Sequence, residues 1–148
     1  MQAEIKHLPG YRMNDYQLVL LPQEELRNRI MKVRQEFSDK YKTTPGNLTR
    51  AWLPLAYFNQ YELMEERLLN RLRTVAMGQY PFRLEFRDFG SFPSHTIFIN
   101  VPTKVPVQEL VRTIRHDIQR LVKPDEEHKP YFVMEPSVCC DETQALAI

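Results

Sequence analysis

Hydrophobic residues fall into short apolar runs and helical stripes that alternate along the chain. Tyr16–Leu21 is a mostly apolar run of strand length, stopped by Pro22. From Gln23 to Ser38, Leu26, Ile30, Val33 and Phe37 recur every three or four residues, with Arg27, Arg34 and Glu36 assigned to the other face, so a helix is predicted there. Pro22 suits its entry, where a missing N–H is harmless. A turn cluster at Thr43–Asn47 leads to a second apolar run, Ala51–Phe58. Pro54 interrupts that run and implies an edge strand, a bulge or a damaged site, because proline cannot donate to a sheet ladder. A second helix is predicted over Tyr61–Met77, with Met64, Leu68, Leu72 and Val75 inward and Gly78 at its end. Phe82, Leu84 and Phe86 alternate with Arg83, Glu85 and Arg87 like a strand with one solvated face. After a turn at Phe89–Pro93, Thr96–Val101 is its expected partner. A third helix should run over Val107–Val122, burying Val107, Leu110, Val111, Ile114, Ile118 and Leu121, and Tyr131–Met134 should open a last strand before a polar tail. Met1–Asn14 reads as a loosely ordered lead-in. The order β-α-β-α-β-β-α-β calls for helices packed on sheet, an α/β or α+β class.

Composition narrows this picture modestly. A chain of 148 residues, 43% hydrophobic, is long enough for one domain with a sizeable core. Twenty Lys+Arg against 19 Asp+Glu leave a net charge of +1, without the basic stripe of a duplex-DNA binder but with room for a local patch. No apolar run reaches membrane-spanning length and the first residues carry no signal-peptide core, so a soluble cytoplasmic protein with no membrane partner is expected. Cys139 and Cys140 are adjacent and lack histidine at ligand spacing; they read as two free thiols, with no metal and no cofactor expected.

Several strings in order then carry a resemblance. Tyr16–Leu21, Leu55-Ala56-Tyr57-Phe58 ahead of a helix, Phe89-Gly90-Ser91-Phe92, Thr96–Val101 and Glu135-Pro136 together resemble the 2H phosphoesterase superfamily, in its bacterial 2'-5' RNA ligase-like branch, over roughly Asp15 to Pro136. The resemblance implies an α+β fold, a bilobal two-fold arrangement of antiparallel sheets with outer helices around a central cleft. It also implies two His-x-Thr or His-x-Ser tetrads, one per lobe. That chemistry is intelligible: in-line attack on a 2',3'-cyclic phosphate or a 2',5' bond needs a base and an acid, and imidazole serves as either near neutral pH. The hydroxyls would hold phosphoryl oxygens as charge shifts.

The tetrads themselves are missing. Aligned on the family pattern, Trp52 stands at the first histidine position and Pro54 at its hydroxyl, while Ser137 and Cys139 take the second pair. Tyr57 and Glu142 stand where a basic residue often follows. Two residues after His7, His95, His116 and His128 come Pro9, Ile97, Ile118 and Pro130, so no His-x-Thr or His-x-Ser occurs. Indole has no basic nitrogen, and a serine hydroxyl is no base at pH 7 without help. The expectation is a family member that binds RNA ends, a nucleotide or another phosphorylated ligand without catalysing the family reaction. Two alternatives stay open: an active phosphodiesterase or ligase with a divergent or frame-shifted second motif, and an interaction module that kept only the fold. Residues 137–148 depart from the family pattern and read as an atypical, truncated tail; a one-base shift of frame after Pro136 permits a His-x-Ser tetrad.

Ligand-binding candidates are Trp52, Tyr57, Arg83, Arg87, His95 and Ser137. Trp52 is either a core aromatic or a stacking platform. Arg83 and Arg87 would share a strand face and could meet phosphate, or simply be solvated. His95 is a displaced catalytic group or a turn-capping histidine. His116-Asp117 reads as a solvated pair. Arg67, Arg71, Arg73, Arg112, Arg115 and Arg120 read as helix surfaces paired with nearby glutamates.

Overall fold

A computed structural model describes residues 8–41, 51–91 and 97–139. The elements are β1 (Met13–Leu20), α1 (Glu24–Tyr41), β2 (Leu53–Tyr61), a 3-10 turn at Glu62–Met64, α2 (Glu65–Met77), β3 (Phe89–Ser91), β4 (Ile97–Asn100), α3 (Lys104–Ile118), β5 (Tyr131–Phe132) and β6 (Ser137–Cys139). Strands pair in two three-stranded sheets, in the orders β1-β2-β5 and β3-β4-β6. The class is α+β, two antiparallel sheets flanked by helices. The chain divides into two compact units.

The first unit comprises the described residues up to Leu18, with Leu55–Phe82 and Val105–Met134. β2 is the middle strand of its sheet, which explains its near-continuous apolar character: Leu53, Leu55, Ala56 and Phe58 are all buried. Of the alternatives for Pro54, an edge strand is therefore corrected. Pro54 is the second residue of β2, ahead of the register Ala56↔Phe132 and Tyr57↔Tyr131, where its missing N–H removes none of those ladder bonds. The Val133 N–H donates to the Leu55 carbonyl at 2.8 Å and extends the pairing. Gln60 is 4% exposed and fully used: Nε2 donates to the Leu121 carbonyl at 2.5 Å, and Oε1 accepts from the Tyr61 N–H at 2.7 Å.

On α3, Val107, Leu110, Val111, Ile114 and Ile118 are buried, the stripe that its periodicity predicts. Each such side chain contributes about 1.5–3 kcal/mol by leaving water. The helix starts three residues earlier than the pattern suggests, because Pro106 in the first turn removes an N–H that has no intrahelical partner. It ends earlier too: the Leu121 and Val122 N–H groups both fold back to the Ile118 carbonyl, tightening the last turn before Pro124. Gly78 ends α2 as expected, but at φ −85°, so no left-handed residue is involved. Within the lead-in, the described residues 8–14 make defined contacts and include the start of β1. Gly10 takes φ +82° and its carbonyl accepts from the Leu63 N–H at 2.9 Å, while a Cβ there would come within 3.0 Å of the Leu63 Cβ.

The second unit comprises the described residues of Val19–Pro54, Arg83–Lys104 and Glu135 onward. On α1, Ile30, Arg34 and Ser38 are all buried, at 4–6% exposure. Placing Arg34 on the solvated face was wrong: residues at i, i+4 and i+8 form one ridge, and that ridge carries both an arginine and a serine inward.

The alternating segment Phe82–Arg87 does not form the expected strand. The Glu85 N–H donates to the Thr103 Oγ1 at 2.9 Å instead of to a ladder carbonyl. Only around Arg87 and Asp88 do backbone bonds to Asn100 begin, both at 2.9 Å. Asp88 then takes φ 59°, a left-handed conformation that Asp tolerates, which interrupts the extended chain before β3. Leu84 and Phe86 nevertheless meet Leu26, Ile30, Val33 and Ile99 around a concavity of about 370 Å³. The turn expected at Phe89–Pro93 is overtaken by β3 for its first three residues; Phe92 and Pro93 lie outside the described residues.

Strand character continues past Pro136. β6 pairs antiparallel with β4 in the register Phe98↔Cys139, Ile99↔Val138 and Asn100↔Ser137, and Val138 is 0% exposed. A polar-looking tripeptide with one β-branched residue is enough when a sheet edge awaits it.

Candidate functional site

The sequence-derived candidates are divided between the two units. Trp52, half-buried just ahead of β2, and Ser137, half-buried at the start of β6, both belong to the second unit, as do Pro54 and Cys139. The tetrad positions were expected one per lobe; these residues are not divided between the two units. Arg83 and Arg87 are exposed on the extended segment before β3. They do not share a strand face, because no strand forms there, and the Arg87 guanidinium bonds Glu85 at 3.3 Å. His95 lies outside the described residues. Tyr57 belongs to the first unit.

Around Tyr57 the first unit builds a tyrosine cluster. Gln17 Nε2 donates to the Tyr57 hydroxyl at 3.0 Å, and the Tyr57 and Tyr131 rings lie 6.3 Å apart because β2 and β5 pair at those two residues. One strand over, Tyr16 stacks on Phe58 at 5.4 Å and donates its hydroxyl to the Glu65 carboxylate at 3.0 Å. Burial raises the Tyr16 phenol above its ordinary value of 10.0, the hydrogen bond to Glu65 adds to this, and the bond from Asn14 opposes it. The phenol therefore stays protonated, a donor near neutral pH. That hydroxyl, already engaged with Glu65, offers no base.

Both described histidines sit beside an aspartate in local structure. His116 Nδ1 is 3.4 Å from Asp117 on α3, the solvated pair that the sequence suggests. His128 Nδ1 is 2.8 Å from Asp125, whose carboxylate also accepts the backbone N–H groups of Glu127 and His128. The bonds from His128, the backbone one foremost, hold the Asp125 carboxyl below its ordinary value. This is a self-capping turn. Among the described residues, no group of three or more His, Cys, Asp and Glu side chains could hold a metal ion.

A different feature went unrecognised in the sequence. Arg115, Arg120, Lys123 and Lys129 line an open concavity of about 720 Å³ together with Tyr131 and Phe132. Arg115 had been assigned a glutamate partner on its helix surface; its guanidinium instead lies 5.8 Å from the Phe132 ring centroid. Arg71 pairs across helices with Asp117, at 3.6 Å. The available signal was the spacing of Lys123, Lys129 and Tyr131-Phe132, divided by a loop whose folding-back the sequence did not reveal.

Compared with known families, residues 22–136 match the 2'-5' RNA ligase superfamily. The chain belongs to that superfamily. The match takes in residues of both compact units and most of the strings that carried the resemblance, and the two antiparallel sheets with their helices accord with it. Comparison with curated proteins and with solved structures returned no match. No described helix is long and apolar enough to cross a membrane.

Proposed function

We propose that this superfamily member binds RNA ends, a nucleotide or another phosphorylated ligand and does not turn it over. The observation that carries this reading is the absence of any His-x-Thr or His-x-Ser string from a chain that otherwise keeps the family pattern over residues 22–136. General acid–base catalysis contributes about 10²–10⁴-fold per group, so a chain without either imidazole would retain little of the family reaction. Neither His116 nor His128 is followed two residues later by a hydroxyl, Ile118 and Pro130 standing there, which supports the reading. Phosphate recognition, by contrast, needs only donors and cations, which survive the loss of a base. Trp52, Arg83, Arg87 and Ser137 of the second unit remain proposed ligand contacts, with His95 as a further candidate, and Tyr57 remains a candidate within the first unit.

Titration of the purified protein with a 2',3'-cyclic nucleotide, followed by calorimetry and by chromatography of the products, tests the proposal. Saturable binding with no product is expected. Turnover abolished by His95→Ala would replace it with the divergent-enzyme reading, and no binding would favour an interaction module.

A further inference from the structure

The concavity beside β5 combines two features that rarely coincide on a protein with net charge +1. Its described lining carries four cations, Arg115, Arg120, Lys123 and Lys129, and no acidic side chain. Its floor carries aromatic rings on a rigid support, since Tyr131 and Phe132 are paired in register with Tyr57 and Ala56 of the middle strand. Tyr131 is 47% exposed, within reach of a ligand in the concavity. Arg115 adds a guanidinium 5.8 Å from the Phe132 centroid, which aligns a cation with a ring. Glu126 holds Lys123 at 2.8 Å, yet that pair is exposed and readily exchanged for a phosphate.

Arg120 also lines a second concavity, of about 530 Å³, bordered by Arg67, Arg71 and Asn70 of α2 and by Asp117 of α3. Asp117 is the only acidic residue in either lining, and it already faces Arg71. Both concavities lie within the first unit, so the surface through Arg120 belongs to one folded body. Cations spread over two hollows that share Arg120 suit a chain of repeated negative charges better than one isolated anion. The exposed Tyr131 ring beside them suits a chain whose charges alternate with planar groups.

We propose that this surface is a track for single-stranded nucleic acid, with Arg115, Arg120, Lys123 and Lys129 meeting phosphates and Tyr131 stacking a base. The track is built from residues of the first unit alone, whereas the tetrad positions Trp52, Pro54, Ser137 and Cys139 belong to the second unit. It rests on the reading above only for the class of ligand.

The test is fluorescence anisotropy with a labelled oligouridylate of about twelve nucleotides, within the usual site sizes for such proteins. Four phosphate contacts on a single strand give a slope near −2.8 in log K against log salt, or about a fifty-fold weakening from about 50 to about 200 mM. Arg120→Ala and Lys129→Ala should each weaken binding and flatten the slope by about 0.7. Lys32→Ala, which removes an exposed charge from α1 in the other unit, should change neither. Tyr131→Ala should weaken binding about five- to hundred-fold at constant slope, because it removes stacking and not charge. Equal binding of a blunt RNA duplex, or equal competition by an oligo-aspartate peptide, would overturn the assignment in favour of a shape-blind polyanion surface or an acidic protein partner. A bound cyclic nucleotide with no bound strand removes the track and leaves the proposed function standing. A bound strand that is sensitive to Arg120 and Lys129, without nucleotide binding, does the reverse.

Discussion

Val138 offers the sharpest test of the fold, because the sequence around it reads as divergent tail while the structure buries it completely. It sits opposite Ile99 in the middle of the β4–β6 pairing, and Ile99 is itself 7% exposed. Val138→Ala removes two methyl groups from that contact. At about 0.8 kcal/mol per buried methylene the transfer loss is about 1.6 kcal/mol, and a residual void raises the expected destabilisation to about 2–3 kcal/mol. Val138→Thr keeps the shape but buries a hydroxyl with no provision for it, for a cost of about 1–3 kcal/mol. At about 2–4 °C per kcal/mol for a chain of this size, Val138→Ala should lower Tm by roughly 4–12 °C. Urea denaturation provides the assay, and the protein supplies its own probe: Trp52, the single tryptophan, lies in the same unit as Val138. The midpoint should fall with little change in slope. If both substitutions shift stability by less than about 0.5 kcal/mol, the range of an ordinary surface change, then Val138 is not a core residue and β6 is not a strand of this sheet.

Two further outcomes follow from single side chains. Gln60→Ala should cost about 1–3 kcal/mol in chemical denaturation, because the Leu121 carbonyl and the Tyr61 N–H both lose their partner in a buried setting; a neutral substitution would show that water replaces the amide. The Asp125 carboxyl is held below its ordinary value by the N–H groups it accepts, so its contribution to the 125–128 turn is present above pH 3.8 and is lost as the pH falls below that value through its folded pKa. The protection of the Glu127 and His128 amides, taken relative to the intrinsic exchange rate at each pH, should therefore be present at neutral pH and fall away at low pH, and Asp125→Ala should remove it at every pH.

Local patterning alone determined a good deal of this protein. The stripe on α3 needs only the 3.6-residue period, and five of its six predicted inward residues are buried, with Leu121 half-buried. The order of elements and the family resemblance were equally legible, since apolar runs, turn residues and short strings are local features of the chain. What failed were statements about partners. Leu84 and Phe86 alternate like strand residues, yet whether a strand forms depends on a neighbour offering carbonyls in register, and Asp88 turns the chain before one does. Ser137–Cys139 shows the reverse: weak local pattern became a strand because β4 presents an unpaired edge. Arg34 went inward because its ridge did. The basic-aromatic surface was invisible for the same reason, as its cations come from α3, the following turn and the loop before β5, and only folding sets them beside Tyr131 and Phe132. Sequence records which chemical groups a chain owns and their local rhythm; tertiary structure decides which of them meet, because hydrogen-bond ladders, ion pairs and ring contacts each need two partners that lie far apart along the chain.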